Sequence, residues 1–105
     1  MEKTEELVNQ VKLVQWNLLG KWASYQESYP EVKPDCLIFE NRFPLMCKII
    51  KEYNADIYVF QEVDFAANMN SLFEELGYGC LEFPKADFQD SLFITYRIKK
   101  LKILA

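Results

Sequence analysis

The chain has 105 residues, a formal net charge of −4 and no histidine. Its length corresponds to one domain at most, and its content of hydrophobic residues (50%) is typical of a globular chain rather than a disordered one. Without histidine, a Ser–His–Asp triad, an imidazole metal site and an imidazole general base are all excluded. The net negative charge also argues against a protein that binds nucleic acids nonspecifically through a basic surface.

The predicted elements alternate between strands and helices. In chain order they are a polar lead-in at residues 1–10, a strand at 11–16, a loop at 21–34, a helix that starts near Asn41 or Arg42 and ends at 53, a strand at 56–64, a helix at 66–76, and strands at 78–83, 91–97 and 99–105. Period-2 alternation indicates the first strand, and apolar residues three and four apart indicate the helices. Pro44 is expected in the first turn of its helix. The strand–helix–strand order predicts a parallel pair in an α/β fold.

The cysteines and the termini bear on the cellular compartment. Cys36, Cys47 and Cys80 are odd in number and scattered, which fits reduced thiols that pack in a core and predicts a cytoplasmic or nuclear protein. The N-terminus is polar and acidic, unlike a signal or transit peptide. No apolar run approaches the roughly 20 residues of a membrane span, so we expect no membrane partner.

Two polar residues stand near the ends of predicted strands. Asn17 follows the first strand, and Glu62 lies near the carboxyl end of the most apolar one. In open α/β sheets, ligands bind beyond the carboxyl ends of the strands, and a carboxylate there can hold Mg²⁺ together with waters and a substrate phosphate. A neighbouring amide can orient a phosphate oxygen or the carboxylate. A purely structural role for Asn17 is an open alternative, because Asn after a strand is also a common turn residue.

Several short motifs resemble those of one protein family. They are, in chain order, Val11-Lys12-Leu13-Val14-Gln15-Trp16-Asn17-Leu18-Leu19, Phe39-Glu40-Asn41-Arg42, Ala55-Asp56-Ile57-Tyr58-Val59-Phe60-Gln61-Glu62-Val63-Asp64, Leu76-Gly77-Tyr78, Phe83-Pro84-Lys85 and Asp90-Ser91-Leu92-Phe93. Together they resemble the first part of an endonuclease/exonuclease/phosphatase domain, of the nocturnin and Angel kind within the carbon-catabolite-repression deadenylase branch. The segments at 15–19 and 61–64 are the most specific of them.

The resemblance implies a fold and a site. The fold would be the first sheet, with its helices, of a four-layer α/β sandwich that spans residues 11–105. Glu62 would bind Mg²⁺ or Mn²⁺, Asn17 would be the active-site amide near the metal and the scissile phosphate, and Lys85 would face the phosphate of the substrate. The activity would be that of a metal-dependent phosphodiesterase, a 3′–5′ exoribonuclease similar to poly(A) deadenylases, which acts on an RNA 3′ end or a phosphorylated nucleotide.

The resemblance also implies that catalytic groups are missing. The family completes its site with later motifs that include aspartates, an asparagine and histidines, and none of these motifs is present here. We therefore expect this chain to be a truncated part of the domain that is inactive alone. The alternatives are a non-catalytic interaction or regulatory half-domain and an α/β protein without a ligand. A half-sandwich should expose its inner sheet face, including Ile57, Val59, Phe93 and Ile103, and should associate with itself or with a partner protein through that face.

Overall fold

A computed structural model of the chain describes residues 10–20, 30–31, 33–85 and 91–103. Its elements are β1 (Leu13–Asn17), a 3₁₀ turn (Pro34–Leu37), α1 (Phe39–Tyr53), β2 (Ile57–Val63), α2 (Ala66–Glu75), β3 (Tyr78–Pro84) and β4 (Ser91–Arg97). The predicted lead-in at 1–10 and the predicted loop at 21–34 lie mostly outside the described residues. No described helix is both long enough and apolar enough to cross a membrane.

The four strands form one mixed sheet in the order β1-β2-β4-β3. β1 and β2 are parallel, as the strand–helix–strand order predicts, whereas β4 runs antiparallel to both of its neighbours, β2 and β3. Consequently β1, β2 and β3 all point the same way and end at one rim of the sheet, which we call the carboxyl rim. The opposite rim, where these strands begin, is the amino rim.

Helix α1 begins earlier than the sequence predicts. It starts at Phe39, so that Pro44 lies in the second turn rather than the first, which corrects the expected start near Asn41 or Arg42. The rings of Phe39 and Phe43 stack with centroids 5.2 Å apart, and Phe39 also lies 4.7 Å from the ring of Phe65. This packing stabilises a first turn that the local sequence does not indicate.

The core lies between the two helices and one face of the sheet. Phe73 of α2 is fully buried and lies 5.2–5.8 Å, centroid to centroid, from the rings of Tyr58, Phe60 and Tyr78. Tyr58 also reaches α1, where its hydroxyl donates to the carbonyl oxygen of Ile50 at 2.5 Å. Since buried aromatic side chains carry large apolar areas, this cluster contributes substantially to the stability of the fold.

The two cysteines with described side chains contribute to this packing. Cys47 and Cys80 are half-buried against the core and form no disulfide. Burial raises the pKa of both thiols, which therefore stay protonated at neutral pH. The expectation of reduced, packing cysteines is met at these two positions, and the side chain of Cys36 lies outside the described part.

The other face of the sheet is apolar and carries no helix among the described residues. Side chains alternate along a strand, so Val59 and Ile94, which pair across β2 and β4, lie opposite the buried Phe60 and Phe93. Both are half-buried, and Leu81 continues their row on β3. We call this the uncovered face. The expectation that Phe93 is exposed is wrong, because its side chain packs on the core side and is 0% exposed.

The amino rim is held by one carboxylate, that of Asp56. Its oxygens accept from the backbone N–H of Lys12 at 2.9 Å, from Nε of Arg97 at 3.2 Å and from Nζ of Lys100 at 3.0 Å. The backbone hydrogen bond from Lys12, followed by the contacts with Lys100 and Arg97, lowers the pKa of Asp56. The predicted strand at 99–105 is wrong over its described part: residues 98–100 form a turn, since Lys100 is drawn back to Asp56.

Candidate functional site

The candidate site lies at the carboxyl rim, where the register of the sheet brings strand ends together. Asn17 at the end of β1 pairs with Gln61 of β2, and Val63 at the end of β2 pairs with Ser91 at the start of β4. Pro84 at the end of β3 pairs with the same Ser91. One line across the sheet therefore contains the ends of all three parallel strands and the residues that follow them.

Asn17 and Glu62 are in direct contact at this rim. The side-chain Nδ2 of Asn17 donates to Oε2 of Glu62 at 2.5 Å, between residues 45 positions apart in the sequence. Asn17 is exposed and Glu62 is half-buried. The proximity that the sequence predicts for these two side chains is present in the structure.

A β-bulge aims Glu62 at Asn17. The register between β2 and β4 shifts between Phe60 and Val63, and the buried positions of β2 accordingly change their spacing from two residues to three. Glu62 itself has φ 58°, in the left-handed region. With regular alternation Glu62 would share the core side with Phe60; the bulge instead turns the carboxylate toward Asn17, while Val63 returns to the core.

The turn after Asn17 is tied to α1 by Arg42. The backbone N–H of Leu19 donates to Oδ1 of Asn17 at 3.0 Å, and Leu19 has φ 57°. Nη2 of Arg42 donates to the carbonyl oxygens of Leu18 and Leu19, at 2.6 Å for Leu19. The side-chain oxygen and nitrogen of Asn17 are thus both engaged, by different parts of the fold.

Lys85 lies at the same rim but across the sheet. It follows the last residue of β3, is exposed, and is separated from β2 by β4. The structure therefore places Lys85 on the same carboxyl rim as Asn17 and Glu62, two strands away from β2. Residues 86–90, which follow it, lie outside the described part.

The oxygen atoms at the rim are suitable ligands for a hard divalent cation. Mg²⁺ prefers oxygen ligands and usually takes one or two carboxylates, with waters and substrate phosphates in its other positions. Glu62 supplies one carboxylate at a half-exposed position. Among the described residues, no group of three or more His, Cys, Asp or Glu side chains could form a closed metal cage. The residues present thus fit an open site that needs further ligands from a substrate.

Sequence reasoning did not assign a role to Arg42. Its guanidinium approaches the turn from a helix 23 residues beyond Leu19, and an Arg in an amphipathic helix ordinarily indicates a solvated face. Its presence in the segment Phe39-Glu40-Asn41-Arg42, one of the motifs that carry the family resemblance, was the available signal.

Comparisons with known proteins agree on one fold. No protein-family model matches the chain. The crystal structure of ANGEL2, a 2′,3′-cyclic phosphatase, superposes with a TM-score of 0.76 over 90% of this chain, at 24% sequence identity. The catalytic domain of human nocturnin, solved with a bound sulfate anion, superposes with a TM-score of 0.69 over 85% of it, also at 24% identity. The chain therefore has part of the endonuclease/exonuclease/phosphatase fold that its motifs resemble.

A curated relative supports this likeness at the level of sequence. Carbon catabolite repressor protein 4 homolog 5 of Arabidopsis thaliana is 34% identical over 76 residues, which are 70% of this chain. The chain spans only 17% of that relative, 29% of the ANGEL2 chain and 33% of the nocturnin chain. It therefore corresponds to a limited part of these proteins, and the partial α/β fold predicted from the sequence is confirmed.

The left-handed backbone at Glu62 leads to a prediction about stability. Glu62→Gly and Glu62→Ala both remove the carboxylate and its hydrogen bond, but only alanine keeps a Cβ, which costs about 1–2 kcal/mol at such a φ. We expect Glu62→Gly to be the more stable of the two by about 1 kcal/mol. Urea unfolding, followed by circular dichroism, measures this difference.

The neighbouring Gln61 provides the control. Its φ is not positive, so the usual order should hold, with Gln61→Gly less stable than Gln61→Ala by roughly 0.5–1 kcal/mol. The same order at both positions would contradict a strained Glu62.

Proposed function

We propose that the Asn17–Glu62 pair is the metal-binding part of a phosphodiesterase site. Glu62 would bind Mg²⁺ or Mn²⁺, and the substrate would be an RNA 3′ end or a phosphorylated nucleotide whose phosphate completes the coordination. The observation that carries the proposal is the 2.5 Å contact between Asn17 and Glu62 at the carboxyl rim, where α/β sheets bind ligands. The likeness to a 2′,3′-cyclic phosphatase and to nocturnin supports a phosphodiesterase or nuclease type of activity.

Each residue has a distinct task in this proposal. Glu62 supplies the anionic oxygen, and a divalent cation bound there would polarise a phosphoryl oxygen. Asn17 keeps the carboxylate oriented through Nδ2, which can also donate to a phosphate oxygen. Lys85, at the far end of the same rim, would contribute positive charge toward the phosphate. The proposal also includes the compartment and the activity of the isolated chain: we expect it to be cytoplasmic or nuclear and not to turn over substrate by itself.

The metal-binding test compares three forms of the chain. Mn²⁺ is titrated into ¹⁵N-labelled protein, and paramagnetic broadening of amide signals reports the position and affinity of the ion. We expect broadening centred on residues 17 and 62 in the wild type, with the affinity lowered about tenfold or more by Glu62→Gln. Glu75→Gln, an exposed glutamate at the end of α2, is the matched control and should leave the titration unchanged.

A nucleotide completes the test. Adenosine 5′-monophosphate should tighten Mn²⁺ binding in the wild type, because a phosphate supplies ligands that the protein lacks. Binding that Glu62→Gln leaves unchanged, or broadening centred elsewhere, would refute the proposal. Poly(A) incubated with this chain should stay intact, and degradation above background would contradict the expected inactivity.

One observation favours a second candidate function, a non-catalytic interaction module. The uncovered face presents an apolar row on three strands, and such patches commonly mark contacts with other chains. In that case the chain would associate through this face whether or not Glu62 is present. Association that persists in Glu62→Gln, together with an unchanged Mn²⁺ titration, would favour the interaction module.

A further inference from the structure

We propose that Arg42 is a positioning residue that fixes the orientation of the Asn17 side-chain amide. Nη2 of its guanidinium donates to the carbonyl oxygens of both Leu18 and Leu19, so helix α1 holds the turn that follows β1. The use of that orientation in catalysis rests on the proposed function of the Asn17–Glu62 pair. The orientation itself can be measured without metal or substrate.

The turn needs such support because of its backbone. Leu19 has φ 57°, a conformation that costs a residue with a Cβ about 1–2 kcal/mol. On one side the backbone N–H of Leu18 donates to the carbonyl oxygen of Gln61 at 3.1 Å, which ties the turn to β2. On the other side Arg42 holds the two carbonyl oxygens. Together they keep the N–H of Leu19 directed at Asn17.

That N–H decides which end of the Asn17 amide faces Glu62. Within the Asn17 amide only Oδ1 can accept a hydrogen bond, since Nδ2 is itself a donor, so the contact of 3.0 Å from the N–H of Leu19 selects Oδ1. Nδ2 is then left facing the carboxylate of Glu62. A flipped amide would set two donors against each other at the turn and two acceptors against each other at Glu62. Arg42 therefore determines, through Leu19, that Asn17 presents a donor to the site.

The shape of the guanidinium suits this task. Both hydrogen bonds come from Nη2, whose two N–H groups lie in the guanidinium plane and point in fixed, different directions, so that one nitrogen donates to two neighbouring carbonyl oxygens. A lysine at the same place would keep the charge but would not reproduce the planar geometry. Arg42→Lys is therefore an informative variant as well as Arg42→Ala.

The test uses the ¹⁵N-labelled chain without metal. Two quantities are measured: the hydrogen-exchange rate of the Leu19 backbone amide, and the ¹⁵N relaxation of the Asn17 side-chain NH₂ group. In Arg42→Ala we expect the exchange rate of Leu19 to rise about tenfold, and the NH₂ group of Asn17 to become as mobile as that of the exposed Asn68. Lys48→Ala, which removes an exposed cation from the same helix, should leave both quantities at their wild-type values.

Arg42→Lys keeps the test decisive if the alanine variant does not fold. It should show the same two changes to a smaller extent, with the signals of the remaining chain in place. Wild-type exchange at Leu19 and wild-type order at Asn17 in whichever variant folds would overturn the proposal. A third result would separate the positioning role from the metal site. If the Asn17 amide is ordered in the wild type and loses that order in Arg42→Lys, the positioning role of Arg42 is supported. If Mn²⁺ at the same time causes no broadening at Glu62, the metal site is refuted.

Discussion

Replacing Phe93 by lysine is expected to abolish folding, whereas replacing its neighbour Ile94 by lysine is expected to leave a folded chain that associates less. Phe93 is fully buried against the core, and a buried cation without a partner costs more than about 4 kcal/mol. A domain of this size has a total stability of only about 5–15 kcal/mol. Ile94 lies half-buried on the uncovered face, where a lysine can extend its ammonium group into water.

Two measurements check this pair. Circular dichroism should show a cooperative transition for Ile94→Lys and none for Phe93→Lys, and sedimentation over a range of concentrations should show weaker self-association for Ile94→Lys than for the wild type. If Ile94→Lys also fails to fold, the face is covered by the chain itself in solution. Equal association of wild type and variant would mean that the contact between copies lies elsewhere.

Replacing Asp56 by alanine is expected to destabilise the chain by about 2–4 kcal/mol. Asp56 is 8% exposed, and its loss leaves the N–H of Lys12 without its acceptor and the guanidinium of Arg97 without its counter-ion. Asp56→Asn keeps an acceptor for the N–H but no charge, so its loss should be smaller. Urea unfolding at neutral pH measures both, and Glu75→Ala, an exposed control, should change stability by less than about 0.5 kcal/mol.

The same carboxylate predicts a pH dependence. Its pKa is lowered in the folded state relative to about 3.9 in an unfolded chain. The stabilisation from Asp56 is therefore complete above about pH 4 and is lost as the pH falls through the lower pKa of the folded state. In Asp56→Asn the difference in unfolding free energy from the wild type should accordingly shrink as the pH falls below about 4. A difference that is independent of pH would contradict the contacts of Asp56 described above.

Local sequence patterns predicted the elements well, but not the features that depend on distant contacts. The parallel pairing of β1 and β2 follows from chain order, and it brings the ends of the two strands, and so the backbone of Asn17 and Glu62, together at one rim. The predicted start of α1 was wrong because the ring of Phe65, which lies outside the helix, packs on the ring of Phe39 and stabilises the first turn. The last predicted strand was wrong because Lys100 is held by Asp56, 44 residues earlier in the chain.

The direction of side chains was harder to predict than the path of the backbone. β4 has apolar residues on both of its faces, so alternation could not show that Phe93 faces the core and Ile94 does not. At the candidate site, an unbroken alternation in β2 would have pointed Glu62 to the wrong side. The bulge that corrects its direction depends on pairing with β4, which no pattern within β2 itself reveals.

The position of Asn17 on the sheet has a consequence for cooperativity. Val14 and Trp16 of β1 face the core, and side chains alternate along the strand, so the side chain of Asn17 lies on the uncovered face. It would therefore lie next to any layer that packs on that face. If a ligand binds at Glu62 and such a layer makes favourable contact with it, the two would be thermodynamically linked: each would raise the affinity of the other by the same factor. In such an assembly, the binding of a layer to the uncovered face and the binding of a ligand at Glu62 would be coupled equilibria rather than two independent steps.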